Sequence, residues 1–132
     1  MVVGAVSSEL RARFGEDVVL ADVPALYLAG ATESRGLEGH AEAVTLPRTA
    51  DEVAAVLAWC YERGIAVTPR GGGTGFAGGA VPFGGVVVSL ERLRTVHSFD
   101  PLLWRLEVEA GLTTAEVRRL TRESGLFFPP DP

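Results

Sequence analysis

The residues best equipped for chemistry in this chain form one run, Pro69-Arg70-Gly71-Gly72-Gly73-Thr74-Gly75-Phe76-Ala77-Gly78-Gly79-Ala80. So many glycines do not suit a helix or a strand. Without a Cβ, glycine reaches backbone angles closed to other residues and lets its own N–H come close to a ligand. Successive N–H groups that converge in such a turn make a concavity for an anion, and a phosphate or pyrophosphate is the ligand that most needs one. Arg70 brings the only full positive charge in the run, which assigns it to the phosphates. A flexible linker of this length carries serine or charge. This run lies instead between two apolar segments, Ile65-Ala66-Val67-Thr68 and Val86-Val87-Val88-Ser89-Leu90.

Gly73-Thr74-Gly75-Phe76-Ala77-Gly78 fits the dinucleotide fingerprint G-x-G-x-x-G, and Glu91 stands where a ribose partner is expected. That fingerprint works only where its last glycines open a crossover helix of about ten or more residues before the next parallel strand. Pro82, Gly84 and Gly85 interrupt the short gap here and leave no room for one. A nicotinamide-binding Rossmann unit is therefore disfavoured. The nucleoside-triphosphate P-loop needs Gly-Lys-Ser/Thr, which is missing. Every cationic side chain is arginine, so Schiff-base and pyridoxal chemistry, which use a lysine amine, are excluded as well.

The elements that must position this loop are legible on both sides of it. Ser7 to Phe14 reads as a short helix with serine at its cap and Gly15 past its end. Val18-Val19-Leu20 is a brief extended piece, and Asp22 to His40 reads mainly as loop with a helical turn at Ala25 to Leu28. Ala43 to Leu46 is a strand. Thr49-x-x-Glu52 then has the form of a capping box, opening a helix whose Val53, Val56, Leu57 and Cys60 share a face, and Gly64 stops it. Strand, helix and strand to Thr68 form a βαβ unit, with the glycine loop at the carboxyl end of a parallel strand, where open α/β sheets bind ligands. Thr95 to Phe99 and Trp104 to Ala110 pair as a hairpin across the Asp100-Pro101 turn, with Trp104, Leu106, Val108 and Ala110 on the buried face. A second capping box, Thr113-x-x-Glu116, opens a helix with Val117 and Leu120 on one face, and Gly125 closes it. Phe127-Phe128 leaves as a strand, held extended by the prolines after it.

Taken together, these landmarks resemble the FAD-linked oxidases of the vanillyl-alcohol oxidase type, which carry a PCMH-type FAD-binding domain. The glycine loop is similar to their pyrophosphate-binding loop. Val44 to Val53, Gly85 to Leu90, Val108 to Thr113 and Gly125 to Pro132 are similar to their flanking landmarks, so the likeness runs from about Ala43 to Pro132. Within the family the chain looks most like the glycolate oxidase D subunit and the D-lactate dehydrogenases. The resemblance implies an α+β fold in which a small parallel lobe, about 1–90, is followed by the start of an antiparallel lobe, about 91–132. The chain is expected to be the N-terminal portion of such an enzyme, with the substrate domain absent. It implies FAD as cofactor, held by Pro69, Arg70, Gly71, Gly72, Gly73, Thr74, Gly75, Phe76, Gly78 and Gly79, with Pro130, Asp131 and Pro132 approaching the flavin ring.

Some relatives attach the flavin through a histidine in this loop; the corresponding place here is Thr74, so non-covalent binding is expected. Valine at Gly72 or Gly73 is expected to abolish pyrophosphate binding and leave the fold intact. In the full enzyme a hydride would pass from the α-carbon of a small 2-hydroxy acid, such as glycolate or D-lactate, to the flavin. No convincing base or carboxylate clamp occurs in this chain, so alone it is expected to be inactive. Two readings remain beside this one. The UDP-N-acetylenolpyruvoylglucosamine reductase type shares the flavin-domain architecture but departs from Gly-Gly-Gly-Thr-Gly at the threonine and the following glycine. A non-catalytic binding or assembly module would keep the fold without the chemistry.

Composition sets the outer limits. The 132 residues carry a net charge of −5, which argues against nucleic acid or an anionic membrane as the main partner. Other oxidase subunits remain open as partners. One cysteine forms no internal disulfide, which suits a reducing compartment and a cytoplasmic location. Cys60 reads as a helix-core residue rather than a nucleophile. His40 and His97 lack carboxylate, histidine or cysteine neighbours at ligand spacing and read as a solvent-facing and a structural residue. No stretch reaches the roughly 20 apolar residues of a membrane span. Met1 to Val6 does not read as a signal peptide.

Overall fold

Three consecutive valines place strand β3 (Val86–Ser89) at the centre of the first lobe, because a parallel strand covered on both faces needs apolar side chains at every position. All four of its residues are buried. The computed structural model describes residues 3–31 and 36–130. In it, β3 pairs in parallel with β1 (Ala43–Thr45) on one side and β2 (Val67–Arg70) on the other. Val19 adds an antiparallel bridge to Thr45 at the β1 edge, so the brief extended piece does join the sheet.

Helices α1 (Val3–Phe14) and α2 (Ala50–Glu62) cover one face of this sheet. Val6 and Leu10 from α1 meet Val56, Trp59 and Cys60 from α2 over Val86 and Val88. Burial pushes the Cys60 thiol above its ordinary pKa, consistent with an inert core residue. The opposite face holds a second cluster, in which Tyr27 packs with Val44, Leu46 and Val87. The alternation of Val86, Val87 and Val88 between the two clusters ties the layers together, and each buried side chain of this size contributes about 1.5–3 kcal/mol.

Residues 91–130 build a separate arrangement. Strands β4 (Val96–Asp100) and β5 (Arg105–Val108) form an antiparallel pair, followed by α3 (Thr114–Glu123). Thr113 and Glu116 make the full reciprocal capping box. Val117 and Thr121 are the buried residues of α3, and an apolar groove of about 600 Å³ runs between it and the hairpin, lined by Phe99, Leu106, Val108, Leu126 and Phe128 among others.

Several local expectations are corrected. α1 starts at Val3 rather than at Ser7, and Ser8 bonds back to the Gly4 carbonyl instead of capping. The first capping box is half made. Thr49 accepts from the Glu52 N–H, but the Glu52 carboxylate reaches one residue further, to the Arg48 N–H at 2.6 Å. Trp59 takes the core place expected of Leu57, which is exposed, because the sheet meets α2 along Val56, Trp59 and Cys60. β1 and β2 are not neighbours, since β3 lies between them. Trp104 does not join the buried strand face. It sits in the hairpin turn at φ +54° and is 82% exposed. Phe127 and Phe128 form no strand; with prolines following, they have no ladder partner to pair with.

Candidate functional site

The glycine run leaves β2 at its carboxyl end and returns along the sheet to enter β3 beside the start of β2, where the Val86 N–H bonds to the Ala66 carbonyl. Gly85 is required at that entry. A Cβ there would lie 2.1 Å from the Ala66 oxygen, and its φ is +68°. No helix forms among residues 71–85, so this parallel crossover is made by loop alone, as the prolines and glycines predicted.

Within the loop, few groups are consumed by the fold. Among the described residues, the N–H groups of Gly71 to Ala77, Gly79 and Ala80 donate to no described acceptor, while a turn over Phe76-Ala77 engages the Gly78 N–H. The loop is fixed through its carbonyls instead: Gly73 accepts from the Ala31 N–H, Gly78 from Val81, and Arg70 from Leu90. Free backbone donors must be met by water or by a ligand. A long series of them in one turn suits an anion.

The glycines separate into two kinds. Gly73 and Gly78 stand at φ +71° and +83°, conformations that an L side chain resists. Gly71, Gly72, Gly75 and Gly79 do not have positive φ. A Cβ at Gly71, Gly75 or Gly79 would meet nothing within 4 Å, and at Gly72 nothing closer than 3.8 Å. Among the described residues, nothing requires glycine at these four places. The space a Cβ would fill is open, and a phosphate approaching the N–H groups would use it.

Arg70 lies beneath this surface and is 5% exposed. Its Nη1 donates to the Ala29 carbonyl at 2.6 Å and to the Ala80 carbonyl at 3.2 Å. Its Nη2 lies against Gly73, where a Cβ would come within 2.2 Å of it. The guanidinium carbon is 5.9 Å from the Tyr27 ring centroid. The sequence directs Arg70 at the phosphates, whereas the structure commits its Nη1 to two carbonyls that bracket the loop. Gly73 is thereby corrected too. A valine there would collide with Arg70, so the fold would not be spared.

The structure brings Pro69 to Ala80 together with a segment that the sequence pattern did not single out. Ala25, Leu26, Ala29 and Gly30 face Gly72 and Gly73 across a concavity of about 410 Å³. Tyr27, in a 3-10 turn over Ala25–Tyr27, donates its hydroxyl to Glu91 Oε2 at 3.1 Å, and Ser89 donates to the same oxygen at 2.9 Å. Burial first, and then the Glu91 carboxylate, raise the Tyr27 pKa. The signal for this segment was a single helical turn in a stretch of small residues, too short to show periodicity. Phe76 is 69% exposed at the loop tip. Pro130 is held elsewhere, its carbonyl accepting from Arg118 at 2.7 Å on α3, and no described hydrogen bond joins it to the loop. Asp131 and Pro132 lie outside the described residues. His40 and His97 are exposed, and no cluster of metal-ligating side chains occurs among the described residues. No helix among them is long and apolar enough to cross a membrane.

A turn of N–H groups without described acceptors, at the carboxyl edge of a parallel strand, reached without a crossover helix and containing no lysine, differs from the Rossmann and P-loop types. Comparison with known proteins gives the class a family. Residues 41–132 match the FAD binding domain family, and the chain belongs to it. Its cofactor is FAD. The D-2-hydroxyglutarate dehydrogenase of Xanthomonas citri pv. viticola is 39% identical over 121 residues, covering 83% of this chain and 25% of that protein. The glycolate oxidase subunit GlcD of Bacillus subtilis is 35% identical over 92 residues, covering 69% of this chain and 20% of that protein. Among solved structures, p-cresol methylhydroxylase with substrate bound superposes with a TM-score of 0.75 at 25% identity, covering 92% of this chain and 24% of that one. The fold is therefore of the PCMH type. The chain spans a quarter or less of the length of these relatives.

Proposed function

We propose that residues 69–80 hold the pyrophosphate of FAD non-covalently, in a flavin-dependent oxidoreductase acting on 2-hydroxy acids such as glycolate, D-lactate or D-2-hydroxyglutarate. The observation that carries the loop assignment is the series of N–H groups between Gly71 and Ala80, Gly78 excepted, that find no acceptor among the described residues, beside four glycines whose Cβ positions are open. The substrate class is supported by the relatives, which are named for such acids. FAD, when bound, supplies the acceptor for a hydride from a hydroxyl-bearing carbon. The residues described here bind and orient it. Gly71, Gly72, Gly75 and Gly79 admit the phosphates to the backbone, Thr74 borders them without a nucleophilic ring nitrogen, and Pro130 is assigned to the ring side.

In this reading, residues 1–90 form the α/β lobe and 91–132 begin the antiparallel lobe. The substrate-binding domain belongs to the part of the relatives' length that this chain does not span. The buried free cysteine suits a cytoplasmic protein, and other oxidase subunits are candidate partners. Titration of the 132-residue chain with ADP or FAD tests the loop. Amide resonances of residues 70–79 should shift most, and shifts centred elsewhere would refute the assignment. Acid precipitation of flavin-loaded protein should leave all flavin in the supernatant; fluorescence retained on the denatured chain would refute non-covalent attachment.

A further inference from the structure

The burial of Arg70 calls for an account that hydrogen bonds alone do not provide. A guanidinium stays charged at any working pH, and a charge taken from water is costly unless it is compensated. The Ala29 and Ala80 carbonyls and the Tyr27 ring face satisfy its geometry with partial charges. Among the described residues no carboxylate forms an ion pair with it. Glu91 is one side chain removed, bound to the Tyr27 hydroxyl. The other nearby cation, Arg92, is committed to the Asp17 and Leu46 carbonyls. Among the described residues, a full positive charge is thus buried without an ion-pair partner directly under the glycine loop.

We propose that Arg70 is the fixed counter-charge of the pyrophosphate, acting through the glycine loop from beneath rather than as a ligand that reaches the phosphate oxygens. This deepens the function proposed above and rests on it. Two separate contributions follow from the geometry. The bonds to Ala29 and Ala80 and the contact under Gly73 set the loop's shape, which needs the planar fork of arginine. The charge acts on whatever anion the loop holds, and it is little screened because the guanidinium itself lies out of solvent. In turn, the bound diphosphate supplies the compensation that the described side chains do not.

Lysine and methionine at position 70 separate the two contributions. ADP and inorganic pyrophosphate are titrated into the parent chain and into Arg70→Lys and Arg70→Met at several salt concentrations, with the β3 amide resonances reporting that the sheet is intact. Arg70→Met should bind ADP at least about tenfold more weakly, with a flatter salt dependence. Arg70→Lys keeps the charge and loses the fork, so it should shift the loop amides before ligand is added and bind more weakly while keeping the parent's salt slope. Parent-like affinity in Arg70→Lys would mean that a point charge suffices, and would overturn the role of the fork beneath the loop. Parent-like affinity or salt slope in Arg70→Met would overturn the counter-charge. Should Arg70→Met not fold, the lysine variant and the parent's salt slope decide. If the parent chain binds neither ADP nor pyrophosphate, the loop assignment itself fails, a result distinct from all of these.

Discussion

Gly72 and Gly73 are adjacent and chemically identical, yet the structure predicts opposite outcomes for alanine at the two positions. At Gly73 the new Cβ would lie 2.2 Å from Arg70 Nη2 and 2.6 Å from its Cζ, on a backbone at φ +71°. Left-handed backbone costs an L residue about 1–2 kcal/mol. Pushing Arg70 off the Ala29 and Ala80 carbonyls loses charge-assisted bonds worth about 1.5–3 kcal/mol. Gly73→Ala should therefore destabilise the chain by about 3–5 kcal/mol, a large part of the roughly 5–15 kcal/mol available to a domain. At roughly 3 °C per kcal/mol the melting midpoint should fall by about 10 °C or more. At Gly72 no atom comes closer than 3.8 Å and φ is not positive, so Gly72→Ala should change stability by less than about 0.5 kcal/mol. It should nevertheless weaken ADP or FAD binding about tenfold or more, because its methyl group occupies the anion's approach. Thermal melts and ligand titration of the two variants check this. Equal destabilisation by both, or parent-like affinity in Gly72→Ala, would refute the division of the loop into shaping and binding glycines.

Other expectations follow from packing and titration. Gly85→Ala, whose Cβ would be driven to 2.1 Å from the Ala66 oxygen, should abolish folded protein, whereas Gly75→Ala should melt like the parent; a folded Gly85→Ala chain would refute the β2–β3 entry described here. Leu10→Ala removes a fully buried side chain between α1 and the sheet and should cost about 2–5 kcal/mol in chemical denaturation. A loss below 1 kcal/mol would place α1 outside the core. The Thr113 hydroxyl, the Thr113 N–H and Arg94 hold the Glu116 carboxyl down from its ordinary value of 4.5 to about 2. A depressed acid stabilises the fold above its ordinary pKa and loses that contribution as pH falls. The α3 cap should therefore weaken between about pH 4.5 and 2, followed by the Thr113 and Glu116 amide resonances. Glu116→Gln should remove that pH response.

Where one physical demand governs a stretch, the sequence was easily read. Val86 to Val88 had to be a buried parallel strand because no other element wants three adjacent valines, and Asp100-Pro101 between alternating segments had to be a hairpin. Thr113-x-x-Glu116 made its full capping box because nothing competes for Glu116 except Arg94, which reinforces it. Thr49-x-x-Glu52 has the same letters but completes only half, since the Arg48 N–H offers the glutamate a nearer donor. Trp104 was misplaced for a similar reason. Alternation put it on the buried face, but the Asp100 carboxylate accepts from the Leu102 and Leu103 N–H groups, and the turn so formed extends to Trp104. The strand order was not legible at all, because insertion of β3 between β1 and β2 depends on where the loop returns, and neither residue type nor spacing records that.

The candidate site shows the same limit more sharply. Composition pointed to Pro69 to Ala80 as a candidate anion loop, and the absence of lysine and of a crossover helix separated it from the P-loop and Rossmann types. Arg70 was located but its direction was not, since a cation next to a glycine run is equally compatible with pointing out toward a phosphate or in toward carbonyls. The choice is made by a segment some forty residues earlier, through the Ala29 carbonyl at 2.6 Å, and that segment shows no pattern in the sequence. With the arginine turned inward, the loop surface is left to backbone N–H groups and the exposed Thr74 side chain. Such a surface is neutral and adaptable by itself, so selectivity for a doubly charged diphosphate over a neutral ligand must come from charge placed behind it. Arg70 is the buried residue in position to supply that charge, which is why its affinity and salt signatures, and not its contacts, are the measurements that matter.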